Sequence, residues 1–224
     1  MTSTALLGVA LGMRHGADPD HLAAIDGLTR VRPRAMNGVY FALGHGVIVM
    51  TLAIGLGQFL DERLTFVGPW SLILIGAVNL WRLLTPAPPP PAARFTIVQP
   101  FVLGMVLALG FETASQLSAL LLAGRTNAWV LGTAFSLGMV LVDGADGFFA
   151  ASMQRAAGAG GARAALGSRL LGVIVVVFAF GLGGAGLLGL DTEAIALPLG
   201  VGLFCAVLSI RIWVRRSVLV DPHA

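Results

Sequence analysis

Between Arg14 and Asp26 the chain places Arg14, His15, Asp18, Asp20, His21 and Asp26 inside a stretch that is otherwise strongly apolar. Two imidazoles mixed with carboxylates, and no thiolate, suit nickel, cobalt, zinc or ferrous ions. Cuprous ion prefers sulfur, and magnesium prefers oxygen alone. Further along come His45 between Gly44 and Gly46, then Glu112 with Gln116 one turn on, then Asp143 and Asp146. The last two share one helix face, flanked by Gly144 and Gly147, which permit close helix approach. Asp18, Asp20, Asp26, Glu112, Asp143 and Asp146 are set against the single cation Arg14. Such an excess of acid at membrane depth needs bound cations or protonation to balance it.

Plainer readings exist for several of these residues. His45 beside two glycines could serve helix packing, Glu112 could hydrogen-bond across helices, and the Asp143 and Asp146 pair could bind Arg14 or relay protons. Asp26, followed by Arg30, reads as a solvated helix-end residue. The cluster around His15 and His21 has no ordinary core explanation. An ionisable group costs about 2.5–3.5 kcal/mol at the centre of an inserted helix, so its retention there points to function.

The elements that must position these groups follow from composition. Of 224 residues, 57% are hydrophobic and 11% charged, and the mean hydropathy is +0.89. Lipid is the expected solvent. Seven apolar runs, at 4–28, 36–60, 67–84, 98–122, 128–153, 170–190 and 194–214, are each close to the ~20 residues that cross a bilayer core. They do not alternate as barrel strands would, so helices are expected, giving an all-α polytopic membrane protein of about seven transmembrane helices. The whole of 1–224 reads as one transmembrane domain, with site-bearing helices within 4–153 and scaffold helices within 170–214. Gly16 and Pro19 lie among the charges of the first run. Proline lacks the N–H that a helix interior uses, so the first helix should break there, bringing Asp20 and His21 round to His15.

All 14 cationic side chains are arginine. Eleven of them collect around the ends of the first, third, fifth and seventh runs, against Arg63 and Arg125 on the other side, which places those ends in the cytoplasm, the N-terminus outside and the C-terminus inside. Arg211, near the end of the last run, is expected to snorkel to the interface. Spread in this way, the arginines explain the pI of 10.4 without nucleic acid. The proline-rich loop at 85–94 should be a stiff connector. Cys205 alone can form neither a disulfide framework nor a thiolate cage. The N-terminal segment lacks the positive start of a secretory signal and reads as the beginning of the first helix. A short echo, HGAD at 15–18 and DGAD at 143–146, falls on runs of the same direction.

The stretch RHGADPDHLAAIDGLTR, from Arg14 to Arg30, resembles the signature of the nickel/cobalt transporter family, a histidine followed after four residues by Asp-His. LGHGVIV around His45, LGFETASQ around Glu112 and GMVLVDGADG around Asp143 and Asp146 match the same family in order. The resemblance covers Leu6 to about Met153 and implies a short form lacking the usual first helix. It implies that His15, Asp20 and His21 take part in metal uptake and selectivity, with the other three motifs assisting.

The expected function is transport of nickel or cobalt through the bacterial inner membrane, with His15, Asp18, Asp20, His21, His45, Glu112, Asp143 and Asp146 as candidate metal residues. The metal is cargo, no prosthetic group is implied, and no ATP-binding motif or ATPase partner is evident. An inside-negative potential favours inward passage of a divalent ion by about 4.6 kcal/mol per 100 mV. Related exporters carry a long histidine-rich loop that this chain lacks, so uptake is the expected direction. The rival readings are an exporter conferring metal resistance and a membrane metalloenzyme, for which a bound metal would activate water.

Overall fold

The computed structural model describes residues 2–54, 66–85, 98–110, 127–190 and 193–220. Glu112 and the proline-rich connector from residue 86 onward lie outside the described residues. Eight helices are present among those described: α1 (Thr2–Gly16), α2 (Pro19–Val31), α3 (Asn37–Ala53), α4 (Val67–Leu84), α5 (Val98–Gly110), α6 (Ala128–Gly158), α7 (Ala162–Leu187) and α8 (Glu193–Val220). The protein is an all-α polytopic membrane protein. Its polarity is inverted relative to a water-soluble bundle. His15, His21, His45, Asp143 and Asn79 are buried, while Leu6, Leu74, Trp129, Val177 and other large apolar side chains are exposed. Only a hydrocarbon surround accommodates that arrangement.

The first expected span is two helices. α1 ends at Gly16, and a turn follows in which Ala17 N–H donates to the Arg14 carbonyl at 3.1 Å and Asp18 N–H to the His15 carbonyl at 2.9 Å. Asp18 is extended (φ −65°, ψ 149°) and caps α2, whose first residue is Pro19. Proline suits that position because the first N–H of a helix has no intrahelical partner to lose. α4, α6 and α7 are each long and apolar enough to cross a membrane. α7 begins at Ala162, eight residues before the expected 170, because a helix carries Arg163 and Arg169 on its projecting end as readily as a loop does. Likewise α6 runs past 153 to Gly158 and α8 past 214 to Val220.

Close glycine contacts set the register of the site-bearing helices. α1 and α6 run parallel: a Cβ at Gly12 would overlap the Phe135 carbonyl, and one at Gly138 would overlap the Val9 carbonyl. α3 runs antiparallel to α6 through Gly38 against the Asp143 carbonyl and Gly147 against Gly38. It runs antiparallel to α5 through Gly44 against the Phe101 carbonyl and Gly104 against that of Phe41. Backbones this near gain dispersion and exclude lipid, the association mode open to helices that share an apolar solvent. The HGAD and DGAD segments thus lie side by side, Gly16 facing Met139, Val142 and Asp143.

α2 occupies the centre. Ten of its 13 residues are buried. Leu22 joins Met153, Leu171, Leu203 and Val207 in one apolar cluster, and Ile25 joins Phe41, Leu72 and Leu107 in another. At the far end Asn37 donates to the Arg32 carbonyl at 2.8 Å and holds the turn into α3.

Candidate metal centre

The break in the first span lets imidazoles approach from both of its halves. His15 comes from the last turn of α1, His21 from the first turn of α2 and His45 from the middle of α3. All three are 0% exposed. Their ring centroids are 4.6 Å apart for His15 and His21, 4.8 Å for His15 and His45, and 4.6 Å for His21 and His45. One ligand nitrogen from each lies within 4.8 Å of the others. Phe135 and Phe41 pack against the rings of His15 and His21, closing the cluster with apolar surface.

Two carboxylates orient the rings. His15 Nδ1 donates to Asp18 Oδ2 at 3.0 Å, and His21 Nδ1 donates to Asp143 Oδ2 at 3.1 Å. An ionised carboxylate only accepts, so the proton of each ring sits on Nδ1 and the lone pair on Nε2 faces inward. Carboxylate-backed imidazoles are the usual partners of a bound metal, because the second hydrogen bond fixes the tautomer and raises ligand basicity. His21 Nε2 and His45 Nδ1 are buried with no hydrogen-bond partner among the described residues, a condition that a bound ion relieves at Nε2.

His15 Nε2 and His45 Nε2 are 2.9 Å apart. They either share one proton, with His45 donating, or share one ion. At imidazole–metal bonds of about 2.0–2.1 Å, that separation subtends about 90°. This is the angle between neighbouring ligands of a square-planar or octahedral ion, and square-planar nitrogen sites are typical of copper(II) and nickel(II).

The remaining candidates fall in different places. Asp20 is buried in the first turn of α2, outside the imidazole triangle, and its Oδ2 has no partner among the described residues. Asp146 is one turn beyond Asp143 and bonds Arg211 Nη1 at 2.6 Å. Arg211 Nη2 reaches Asp26 Oδ1 at 2.8 Å. The buried counter-cation is therefore Arg211 rather than Arg14, which is exposed. Arg211 does not snorkel: its side chain is 11% exposed, and α8 contributes to the polar interior rather than serving as scaffold alone. Asp26, expected at a solvated helix end, is 2% exposed. The signal for this pairing was opposite charge near the same end of two spans.

An all-helical membrane fold around three buried imidazoles so placed that they could hold one metal ion defines the class of protein. Residues 1–61 match the NicO family, described as high-affinity nickel-transport protein, and the chain is related to the nickel/cobalt transporters. Over 212 residues it is 30% identical to the hydrogenase nickel incorporation protein HupN of Bradyrhizobium diazoefficiens, covering 68% of this chain and 55% of that protein. It is 28% identical to the nickel transporter NicT of Mycobacterium tuberculosis over 209 residues, 64% of this chain and 55% of that one. The cobalt transport protein NhlF of Rhodococcus rhodochrous is 40% identical over 60 residues, 24% of this chain and 17% of that protein. The chain spans about half the length of HupN and NicT. No solved structure matches it.

Proposed function

We propose that this protein carries nickel or cobalt ions through the bacterial inner membrane, into the cytoplasm, with its N-terminus outside and its C-terminus inside. The observation that carries this reading is the convergence of His15, His21 and His45, fully buried, with ligand nitrogens within 4.8 Å. The names of HupN, NicT and NhlF agree with it. The ion is held by these imidazoles, with Asp18 and Asp143 behind the rings, and Asp20 belongs to the site by its motif, next to His21 and beside the triangle rather than in it. Asp146 lies on the way to the arginine-rich end, and Glu112 is assigned a supporting role by its motif. The protein moves its substrate and does no chemistry on it.

The test is uptake of radiolabelled nickel and cobalt by cells expressing His15→Ala, His21→Ala and the double variant. Uptake should fall to the level of cells without the protein. Unchanged uptake in the double variant overturns the site. Direction is read on metal-containing plates: an importer sensitises cells, whereas resistance overturns uptake in favour of export.

A further inference from the structure

Two residues along the molecule from the histidine cluster meet one cation. Asp143 holds His21; one turn on, Asp146 meets Arg211. His21 lies on α2, and five residues on from it Asp26 meets the same guanidinium. α2 and α6 therefore leave the cluster side by side in one direction, toward the end that carries Arg30, Arg32 and Arg34. The next carboxylate on each helix is already occupied. The occupant is tethered to a third helix, α8, which the mechanism above does not otherwise use.

The same side chain also borders an open apolar groove of about 500 Å³ between α6 and α8, whose walls include the exposed Phe148, Phe149, Leu208 and Ile212 and which offers a displaced guanidinium no anion. Arg211 Nε has no hydrogen-bond partner among the described residues, and neither does Asp146 Oδ2. The guanidinium is thus held only at its two outer nitrogens, and its acidic partners are Asp26 and Asp146.

We propose that Arg211 is a tethered counter-cation that gates the arginine-rich side of the transport route. With no ion present it bridges Asp26 and Asp146 and offsets one of their two charges. An ion leaving the histidine cluster shares those carboxylates with the guanidinium, and repulsion between the two cations drives the ion on. The carboxylate pair is never left without a cation, and the guanidinium never without an anion. The gate acts in either direction of transport, and it rests on the reading of this protein as a carrier.

The test uses the full chain, purified and reconstituted in liposomes, with two readouts: nickel bound per chain by equilibrium dialysis, and nickel flux. In Arg211→Gln the carboxylates lose their tethered cation, so the variant should bind one more ion than wild type and its flux should fall at least about tenfold, the ion being trapped. Arg211→Lys should keep wild-type stoichiometry. The triple variant Arg211→Gln, Asp26→Asn, Asp146→Asn, which carries no buried charge at this point, should return to wild-type stoichiometry and recover flux. It serves as the folding control for the single variant.

Wild-type stoichiometry and flux in Arg211→Gln overturn the gate. So does a folded triple variant whose flux stays lost, because the triad would then be a structural pin. A failure of the carrier reading shows as wild-type liposomes with no nickel flux above protein-free ones; if instead His15→Ala, His21→Ala leaves flux unchanged, the histidine site is wrong, while the extra ion bound on Arg211→Gln still reports on the gate.

Discussion

His21 and Asp143, 122 positions apart in sequence, meet through Nδ1 and Oδ2 at 3.1 Å in a contact with no solvent exposure on either side. The bond ties the short central helix α2 to α6, the longest of the described helices, and it decides which nitrogen of His21 is free to bind.

Asp143→Ala should weaken nickel binding by about 10–100-fold, the usual effect of removing the group behind a ligand imidazole. Asp143→Asn, which still offers an acceptor oxygen, should recover part of that loss. Isothermal titration of the purified protein measures both. On the His21→Ala background Asp143→Ala should add little, since two residues acting through one contact are not additive. Equal, independent losses would show that Asp143 binds the ion by itself.

Asp18 stands in the same relation to His15, at 3.0 Å, but it also caps α2 without a side-chain capping bond. Asp18→Asn should therefore lower metal affinity, about tenfold or more, while leaving the detergent melting temperature close to that of wild type. A large drop in melting temperature with unchanged affinity would reverse this assignment and make Asp18 a folding residue.

Gly12→Ala and Gly38→Ala should each destabilise the protein by about 1–3 kcal/mol, as overpacking does, because the new methyl group meets backbone that cannot rotate away. Gly181→Ala and Gly202→Ala, where nothing lies within 4 Å, should stay within about 0.5 kcal/mol of wild type. Thermal unfolding followed by fluorescence size-exclusion in detergent separates the two groups.

Arg30 donates to the Ser168 carbonyl and, at 3.0 Å, to the Ser168 hydroxyl, and its guanidinium rests on Gly172. Arg30→Ala should cost about 1.5–3 kcal/mol, the range for hydrogen bonds to charged groups. Gly172→Ala should destabilise wild type by collision with the guanidinium, yet be tolerated on the Arg30→Ala background. If the two losses simply add in a double-mutant cycle, the guanidinium does not rest there.

How much of this was legible in the sequence depended on whether a feature is local. The break at Gly16 and Pro19 could be read because proline acts on its own turn, and 67–84 matched α4 at both ends, its second end falling where Thr85-Pro86 closes the apolar run. The ends of α6, α7 and α8 were drawn short because a hydropathy run stops where lipid stops, whereas a helix stops where its backbone hydrogen bonds do. The position of Arg211 and Asp26 in their apolar runs puts each near an interface, but 185 positions separate them and no periodicity links the last span to the first. Only tertiary structure could show that a residue expected to reach for water turns inward to meet an acid. The orientation of His15 and His21 by Asp18 and Asp143 was likewise beyond spacing, which brings residues to one level of the membrane without saying which atom faces which.

The glycine contacts of α3 bear on motion. This helix is keyed on one flank to α6 and on the other to α5 by backbone fitted into backbone. Sliding by a single residue, about 1.5 Å along the axis, would bring a side chain into the notch that a glycine leaves. Shear is therefore barred, and His45 travels only as part of one stiff block with α1, α5 and α6. The two-residue joint at 17–18 between α1 and α2 lies at the edge of that block, so any change in the shape of the imidazole triangle is a rotation about this hinge.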